Sequence, residues 1–369
     1  MHMTPPQTAV PTLGTTTTTR RSGMVMCVVG ESFVDPKVFD GGWCDYAIYP
    51  DLFKYGNSFL PIYGETSWDA FKAAVGAHQQ MGVGVSFSLL HPRNNRSTVG
   101  TIPRTLVLLE RLVREMNVSA MGVLNFPRHE GMNTTELAPV FEELKKAVIQ
   151  QEHSEPVVFL GVQFYTAQAV DDFVSEVGAI GSLTTIIIQT HIHSVGFFGP
   201  QTLPGCHSFP VSLKNAHTLL PSFAFAERAA QRLRSQSDKF RIMFSSTLGV
   251  ALFVGEVGSG KPRTFLDKCD RAVMADYGIL CNSAGSYNFP TSDHREEFGY
   301  TSWVDNYNRT YWASYETERS LTLKLERHAR NSSDGWVVFE VQHDVSKACN
   351  VNNYLRLELI QAKARRSGP

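Results

Sequence analysis

Val118–Glu130 reads VSAMGVLNFPRHE, and the fold turns on how it is read. Val118, Ala120 and Gly122 alternate with Met121, Val123 and Asn125 before Pro127 and a polar pair end the run. That pattern predicts a short buried strand running out into a loop. Ile102–Met116 before it puts Leu106, Leu109, Val113 and Met116 on one stripe. Thr135–Gln150 after it does the same with Leu137, Val140, Phe141, Leu144 and Val148, so a helix is expected on either side. Helix, buried strand, helix is the unit of an α/β protein, whose loops after the strands usually hold the chemistry.

Working outward, strands are expected at Met24–Val29, Trp43–Tyr49, Gly82–Leu90, Val157–Phe164, Thr184–His193, Arg241–Val254 and Trp336–Val341. Helices are expected near Ser67–His78, Ala167–Val177, Phe223–Leu233, Phe265–Tyr277 and Tyr315–Arg330. With the opening stretch as the fourth, eight strand signals mostly separated by helical ones fit a single (β/α)8 barrel better than an open sheet. Residues 1–22 are expected to form a flexible Thr/Pro-rich stalk, 23–364 the barrel and 365–369 a disordered tail.

Composition bounds the function. The chain has 369 residues, 34 Lys and Arg against 35 Asp and Glu. No basic footprint for nucleic acid appears, and no apolar run reaches the ~18 residues of a membrane span. MHMTPPQTAVP lacks the basic start and apolar block of a secretory signal. The sequence leaves open whether a signal or anchor precedes Met1, and contact with a membrane is expected only through such an N-terminal anchor. The Thr15–Thr19 run reads as a stalk open to O-glycosylation. N-x-S/T sequons stand at Asn95, Asn117, Asn133, Asn308 and Asn331, all in expected loops or helix ends. Six cysteines are compatible with three disulfides or with free buried thiols. Together these point to an extracellular, secreted glycoprotein.

Several stretches resemble the family 18 glycoside hydrolases, the chitinases and chitinase-like lectins. They are Cys27 with WCDYAIY, MGVLNFPRH, IIIQTHIHS, IMFSSTLGVALF, ADYGILC, and YETERSLTLKLERHARNSSDGWVVFEVQHDVSKAC. The resemblance spans roughly Met24–Ala362 and is nearest to secreted arthropod chitinase-like proteins with Thr-rich stalks. It implies a TIM barrel whose insertion between strands seven and eight is shortened. It also implies Cys27–Cys44 and Cys281–Cys349 disulfides, with Cys206 left for Cys269.

The family's catalytic signature, D-x-x-D-x-D-x-E on strand four, supplies a Glu proton donor and an Asp that holds the substrate's own acetamido nucleophile. The matching positions here are Met121, Leu124, Phe126 and Arg128. None is a carboxylate, and Arg stays protonated at physiological pH. A shift of one residue brings in no acid; a shift of two puts Glu130 in the donor position without its partner. Gln189-Thr190-His191-Ile192 replaces the family's Met-x-Tyr-Asp on strand six. The groove-floor Trp of strand eight falls at Val338 or Phe339.

Other constellations are weaker. His191 and His193, with His91, His129 and His343 beside Asp344, end strands at one mouth and suggest a zinc set. No helical ligand pair accompanies them, so neither metal nor cofactor is expected. Gly255–Lys261, GEVGSGK, resembles a phosphate loop but is followed by Pro262, where Ser or Thr would hold magnesium, and reads as a surface turn. Phe87, Phe126, Phe164 and Tyr165 are candidates for stacking on sugar rings, with Asn125, Arg128, Gln189 and His191 as polar contacts, although aromatics in strands are more often core. The expected function is that of an inactive secreted chitinase-like protein binding a glycan, a chitin fragment or an extracellular protein. The rivals are a hydrolase using Glu130 and a structural barrel without ligand.

Overall fold

The structure is a computed structural model. It describes residues 23–62, 64–89, 105–126, 134–149, 156–191, 206–215, 220–257, 266–281, 288, 291–294, 297–328, 334–345, 347–349 and 352–366. In chain order the elements are β1 (Met24–Val28), β2 (Tyr46–Tyr55), β3 (Ser58–Pro61), α1 (Glu65–Ala77), β4 (Gly82–Phe87), α2 (Leu106–Met116), β5 (Val118–Phe126), α3 (Ala138–Ile149), β6 (Val157–Val162) and α4 (Ala167–Val177). Then come β7 (Thr185–Ile188), α5 (Phe223–Gln236), β8 (Arg241–Thr247), β9 (Val250–Val257), β10 (Arg271–Ala275), β11 (Thr291–His294), β12 (Phe298–Val304) and β13 (Arg309–Tyr315). The chain ends with α6 (Glu318–His328), β14 (Gly335–Phe339) and α7 (Leu355–Arg366).

Strands β1-β14-β8-β7-β6-β5-β4-β2 are parallel neighbours, and β2 pairs back onto β1 to close the barrel. Period-2 alternation sorts their side chains. Met24, Met26, Val28, Ile48, Ala120, Leu124, Val157, Phe159, Ile187, Met243, Val337 and Phe339 form the cluster inside the barrel. The alternate residues, including Met121, Val123, Val158 and Leu160, pack outward against the buried stripes of the helices. Glycines admit the large members of the inner layer: a Cβ on Gly122 would lie 2.0 Å from the Phe159 carbonyl oxygen.

Several expected boundaries move. Arg241–Val254 is two strands, because the chain turns at Leu248 and Gly249 and β9 enters a separate antiparallel sheet, ordered β10-β9-β13-β12-β11. That sheet is the insertion between barrel strands seven and eight. The helix expected at Phe265–Tyr277 is replaced in its described part by β10, which pairs with β9 in register Arg271↔Val254. A short apolar run such as RAVMA does not by itself distinguish strand from helix. Tyr315 ends a strand rather than opening a helix. Helix α7 reaches Arg366, so Arg365 and Arg366 are helical where a disordered tail was expected.

Disulfides join Cys27 to Cys44, Cys206 to Cys269 and Cys281 to Cys349, with Cα separations of 5.7, 5.0 and 4.9 Å. The second ties the β7–α5 connection to the insertion, beside the His207–Lys268 bridge. A buried polar knot joins the insertion to the barrel. Arg356 of α7 donates from Nε to Asp344 (2.7 Å), from Nη1 to the Glu316 carbonyl (2.9 Å) and from Nη2 to the Leu248 carbonyl (2.6 Å). Nearby, Lys324 donates to both carboxylate oxygens of buried Glu316 and to Ser212. No helix among the described residues is long and apolar enough to cross a membrane.

Candidate functional site at the barrel mouth

In a (β/α)8 barrel the loops at the C-terminal ends of the strands form the mouth where ligands bind. Here β5 departs from simple alternation. Its register with β6 shifts between Val123 and Phe126. A bulge of this kind re-aims the residues after it. Leu124 therefore points into the barrel, while Phe126 joins the layer between strands and helices. Half-buried Asn125 reaches over β4 to β2, where its Nδ2 lies 3.0 Å from each carboxylate oxygen of Asp51. That contact crosses the mouth. Asp51 is itself held at φ 55°, next to the irregularity between Tyr49 and Leu52 in the β2–β4 register.

A second link spans the mouth from β7. Gln189 Nε2 donates to the Leu124 carbonyl at 2.6 Å, passing β6 where Gly161 sits. A Cβ at Gly161 would lie 2.1 Å from that same oxygen, so only glycine leaves the link its space. Thr190 bonds Ser245 through its amide and its hydroxyl, and the His191 ring contacts Ser245 Oγ through Nδ1 at 2.7 Å. The same ring packs on Phe339, 4.5 Å between centroids. Phe339, 3 % exposed, thus packs inside the barrel at one of the two positions matching the family's groove-floor Trp. On the β6 side, Gln163 Nε2 donates to the His191 carbonyl (3.0 Å) and Tyr165 donates to Gln163 Oε1 (2.7 Å). Desolvation pushes the Tyr165 phenol up to about 12, so it stays a neutral donor.

The expected site residues divide accordingly. Asn125, Tyr165, Gln189 and His191 gather at the mouth, with Leu124 beneath them. Met121 packs outward, toward the helices. Phe87, Phe126 and Phe164 do not offer ring faces for a sugar: they are 1, 4 and 2 % exposed and lie between strands and helices. Phe87 packs on Phe59 and Phe164 on Phe173 of α4. Alternation and the bulge turn them away from the mouth. Arg128, Glu130, His91, His129 and His193 fall outside the described residues, as do the sequons at Asn95, Asn133 and Asn331. Asn117 and Asn308 are exposed at φ 55° and 58°, each at a turn. His191 and His343 make separate contacts, and no group of three potential metal-ligating side chains occurs among the described residues. Of GEVGSGK, Gly255–Val257 belongs to β9 and the rest lies outside the described residues.

The sequence does not mark Asp51 or Gln163 as site residues, and it points to Phe339 only as one of two positions for the groove-floor Trp. Pro50 inside an apolar strand was the available signal for Asp51, since proline in a sheet marks an edge or a bulge.

No family model matches the chain, and no curated protein matches it in sequence. Solved structures do match. Ostrinia furnacalis Group II chitinase catalytic domain 2, in complex with (NAG)5, superposes with a TM-score of 0.67 at 12 % identity, over 94 % of this chain and 97 % of that one. Human YKL-39, described as a pseudo-chitinase with retained chitooligosaccharide binding properties, gives 0.62 at 15 % identity over 93 % and 99 %. The chitinase TsES1 from Trichuris suis gives 0.61 at 11 % over 92 % and 99 %. The chain therefore has a chitinase-like, glycoside hydrolase family 18 fold.

Proposed function

We propose that this is a secreted chitinase-like protein that binds a chitooligosaccharide-type glycan at the barrel mouth without hydrolysing it. The observation that carries the reading is on β5. From Val118 to Phe126 the strand presents no carboxylate, and its inward residue Leu124 is fully buried. Substrate-assisted hydrolysis needs an acid to protonate the leaving oxygen and a second to support the acetamido group. Asn125 offers neither: an amide has no proton to release at neutral pH. What the mouth does offer is a set of amide, phenol and imidazole groups over an apolar floor, with the Asp51 carboxylate tied to Asn125, and pockets of a few placed polar groups on apolar walls suit a sugar. Asn125, Gln163 and Tyr165 are half-buried and reachable, whereas Gln189 and His191 support them from below. The retained chitooligosaccharide binding of human YKL-39, a pseudo-chitinase of similar fold, supports glycan binding without turnover. Three disulfides support an extracellular setting.

The test pairs turnover with binding. A chromogenic chitooligosaccharide should stay at background with wild type and with Arg128→Glu, while calorimetry with chitotetraose should show saturable binding that Asn125→Ala and Tyr165→Ala weaken. Turnover lost in Glu130→Gln would establish a hydrolase in the shifted register. Turnover abolished by EDTA would point to the histidines. Absence of binding to chitooligosaccharides and to a glycan array would favour an extracellular protein partner or a purely structural barrel.

A further inference from the structure

Away from β5, at the junction of β1, β14 and the insertion, three side chains from distant parts of the chain meet in order. His343 Nδ1 lies 2.7 Å from Asp276 Oδ1, and His343 Nε2 lies 3.1 Å from Ser32 Oγ. Ser32 follows β1, His343 follows β14, and Asp276 follows β10 of the insertion. β1 and β14 are neighbours with Val28 opposite Phe339, so both loops emerge at the C-terminal face of the barrel. We propose that Ser32, His343 and Asp276 form a nucleophile, base and orienting carboxylate for hydrolysis of carboxylic esters.

The chemistry follows from donors and acceptors. An ionised Asp276 only accepts, so the ring proton belongs on Nδ1, and Nε2 is left with a lone pair facing the Ser32 hydroxyl. The ring is 5 % exposed, while Ser32 is exposed and open to a solute. Support behind the ring is close. Gly249 comes near enough that a Cβ there would lie 3.6 Å from His343 Cδ2. Glu340, which opens the turn carrying His343, is held at φ 56°, a strained conformation of the kind that collects at functional sites. Gln342 is fixed by accepting from the Gly30 amide (2.9 Å), which aims its Nε2 at Glu340 Oε2 (2.7 Å) and toward Ser32 Oγ (3.5 Å). That NH2 group is the side-chain donor next to where an oxyanion would form.

In the first step Ser32 Oγ bonds to the ester carbonyl carbon as its proton passes to His343 Nε2 and the carbonyl π pair moves to oxygen. Asp276 and, 3.6 Å from Nε2, Glu340 face the resulting imidazolium. Collapse breaks the bond to the alkoxy group, which takes the proton from Nε2 and leaves as alcohol. Water then repeats the sequence on the acyl-Ser32 ester, releasing carboxylic acid and restoring the hydroxyl. The site is open to water and has one evident oxyanion donor beside a carboxylate, so esters with good leaving groups suit it and amides do not.

A fluorophosphonate probe with mass-spectrometric mapping tests this on the full chain, with p-nitrophenyl acetate as substrate. The expected result is an adduct on Ser32 and ester turnover. Ser32→Ala should abolish both, and His343→Gln should slow both by ~10²–10⁴-fold while its circular dichroism matches wild type. Asp276→Asn, exposed enough to leave folding intact, should slow them as well. Chitotetraose binding should be unchanged in Ser32→Ala, which keeps this proposal separate from the glycan reading. Absence of a Ser32 adduct in wild type, or equal labelling of wild type and His343→Gln, overturns it.

Discussion

Replacing Arg356 with Met should be among the most destabilising single changes in the protein, and the structure sets the size. Arg356 is 2 % exposed and Asp344 fully buried. The guanidinium also lies 4.0 Å over the Tyr277 ring. Methionine fills much of the volume but leaves the Asp344 carboxylate, among the described residues, with the Leu357 amide (2.9 Å) as its remaining hydrogen-bond partner, and the carbonyls of Glu316 and Leu248 lose these donors. Breaking one side of a buried ion pair costs about 3–5 kcal/mol, because the other charge stays buried without compensation. At about 2.1 cal/mol/K per residue, the 369-residue chain has an unfolding entropy of roughly 0.8 kcal/mol/K, so a loss of about 4 kcal/mol lowers Tm by about 5 °C. Differential scanning calorimetry of disulfide-intact protein measures this. Lys363→Ala is the control: it breaks the partly exposed contact with Glu326, which is worth about 0–1 kcal/mol. Arg356→Met with Asp344→Asn should recover part of the loss, since the uncompensated charge is gone while an acceptor for Leu357 remains. A Tm drop for Arg356→Met no larger than that of the control would refute the account of how the insertion is anchored.

Removing disulfides as Cys-to-Ala pairs should rank by enclosed loop. Cys27–Cys44 closes 17 residues and should cost about 3 kcal/mol, and the pairs closing 63 and 68 residues about 4 kcal/mol each; a reversed ranking in thermal melts would contradict the chain-entropy explanation. Desolvation pushes Tyr49, Tyr165 and Tyr354 up to about 12. The unfolded chain then gives up these protons first, so stability is full below pH ~10 and falls between about 10 and 12; ultraviolet titration should show late-ionising phenols, fewer by one in Tyr165→Phe. Gly161→Ala should lower stability by on the order of 1–3 kcal/mol through the clash with the Leu124 carbonyl, and unchanged melting would mean β6 can shift at no cost. Phe126→Asp should be destabilised by several kcal/mol without gaining glycosidase activity, since the new carboxylate would lie in the apolar layer behind the barrel; chitooligosaccharide turnover by this variant would show that position 126 faces the mouth.

The fold was legible where one signal dominated. The alternation of Val118–Asn125 marked β5, and Ala167–Val177 coincides with its helix, capped by Thr166 accepting from the Ala169 amide. Helix α7 was missed because its buried stripe is thin: Leu357, Ile360 and Ala364 stand among charged residues and follow a positive-φ Tyr354. The β5 bulge had no local marker either. Strict alternation put Leu124 and Phe126 on one face, and the extra residue before β6 reverses the second of them. The Ser32–His343 contact joins residues 311 apart, a distance over which period and spacing carry no information.

The mouth also bears on why acids are absent from β5 and from the end of β7, while β2 carries Asp51. Gln189 must donate to the Leu124 carbonyl, and an ionised carboxylate in its place has no proton to give. Asn125 donates to Asp51 at 3.0 Å; an aspartate there would set two carboxylates against each other at hydrogen-bond range, and both could not stay ionised. Thr190 and His191 are likewise committed to Ser245. Each neutral group is therefore held by a neighbour that an acid would repel or leave unsatisfied. A hydrolytic set at this mouth would require changing Asp51, Asn125 and Gln189 together, because changing any one alone breaks a link that shapes the site.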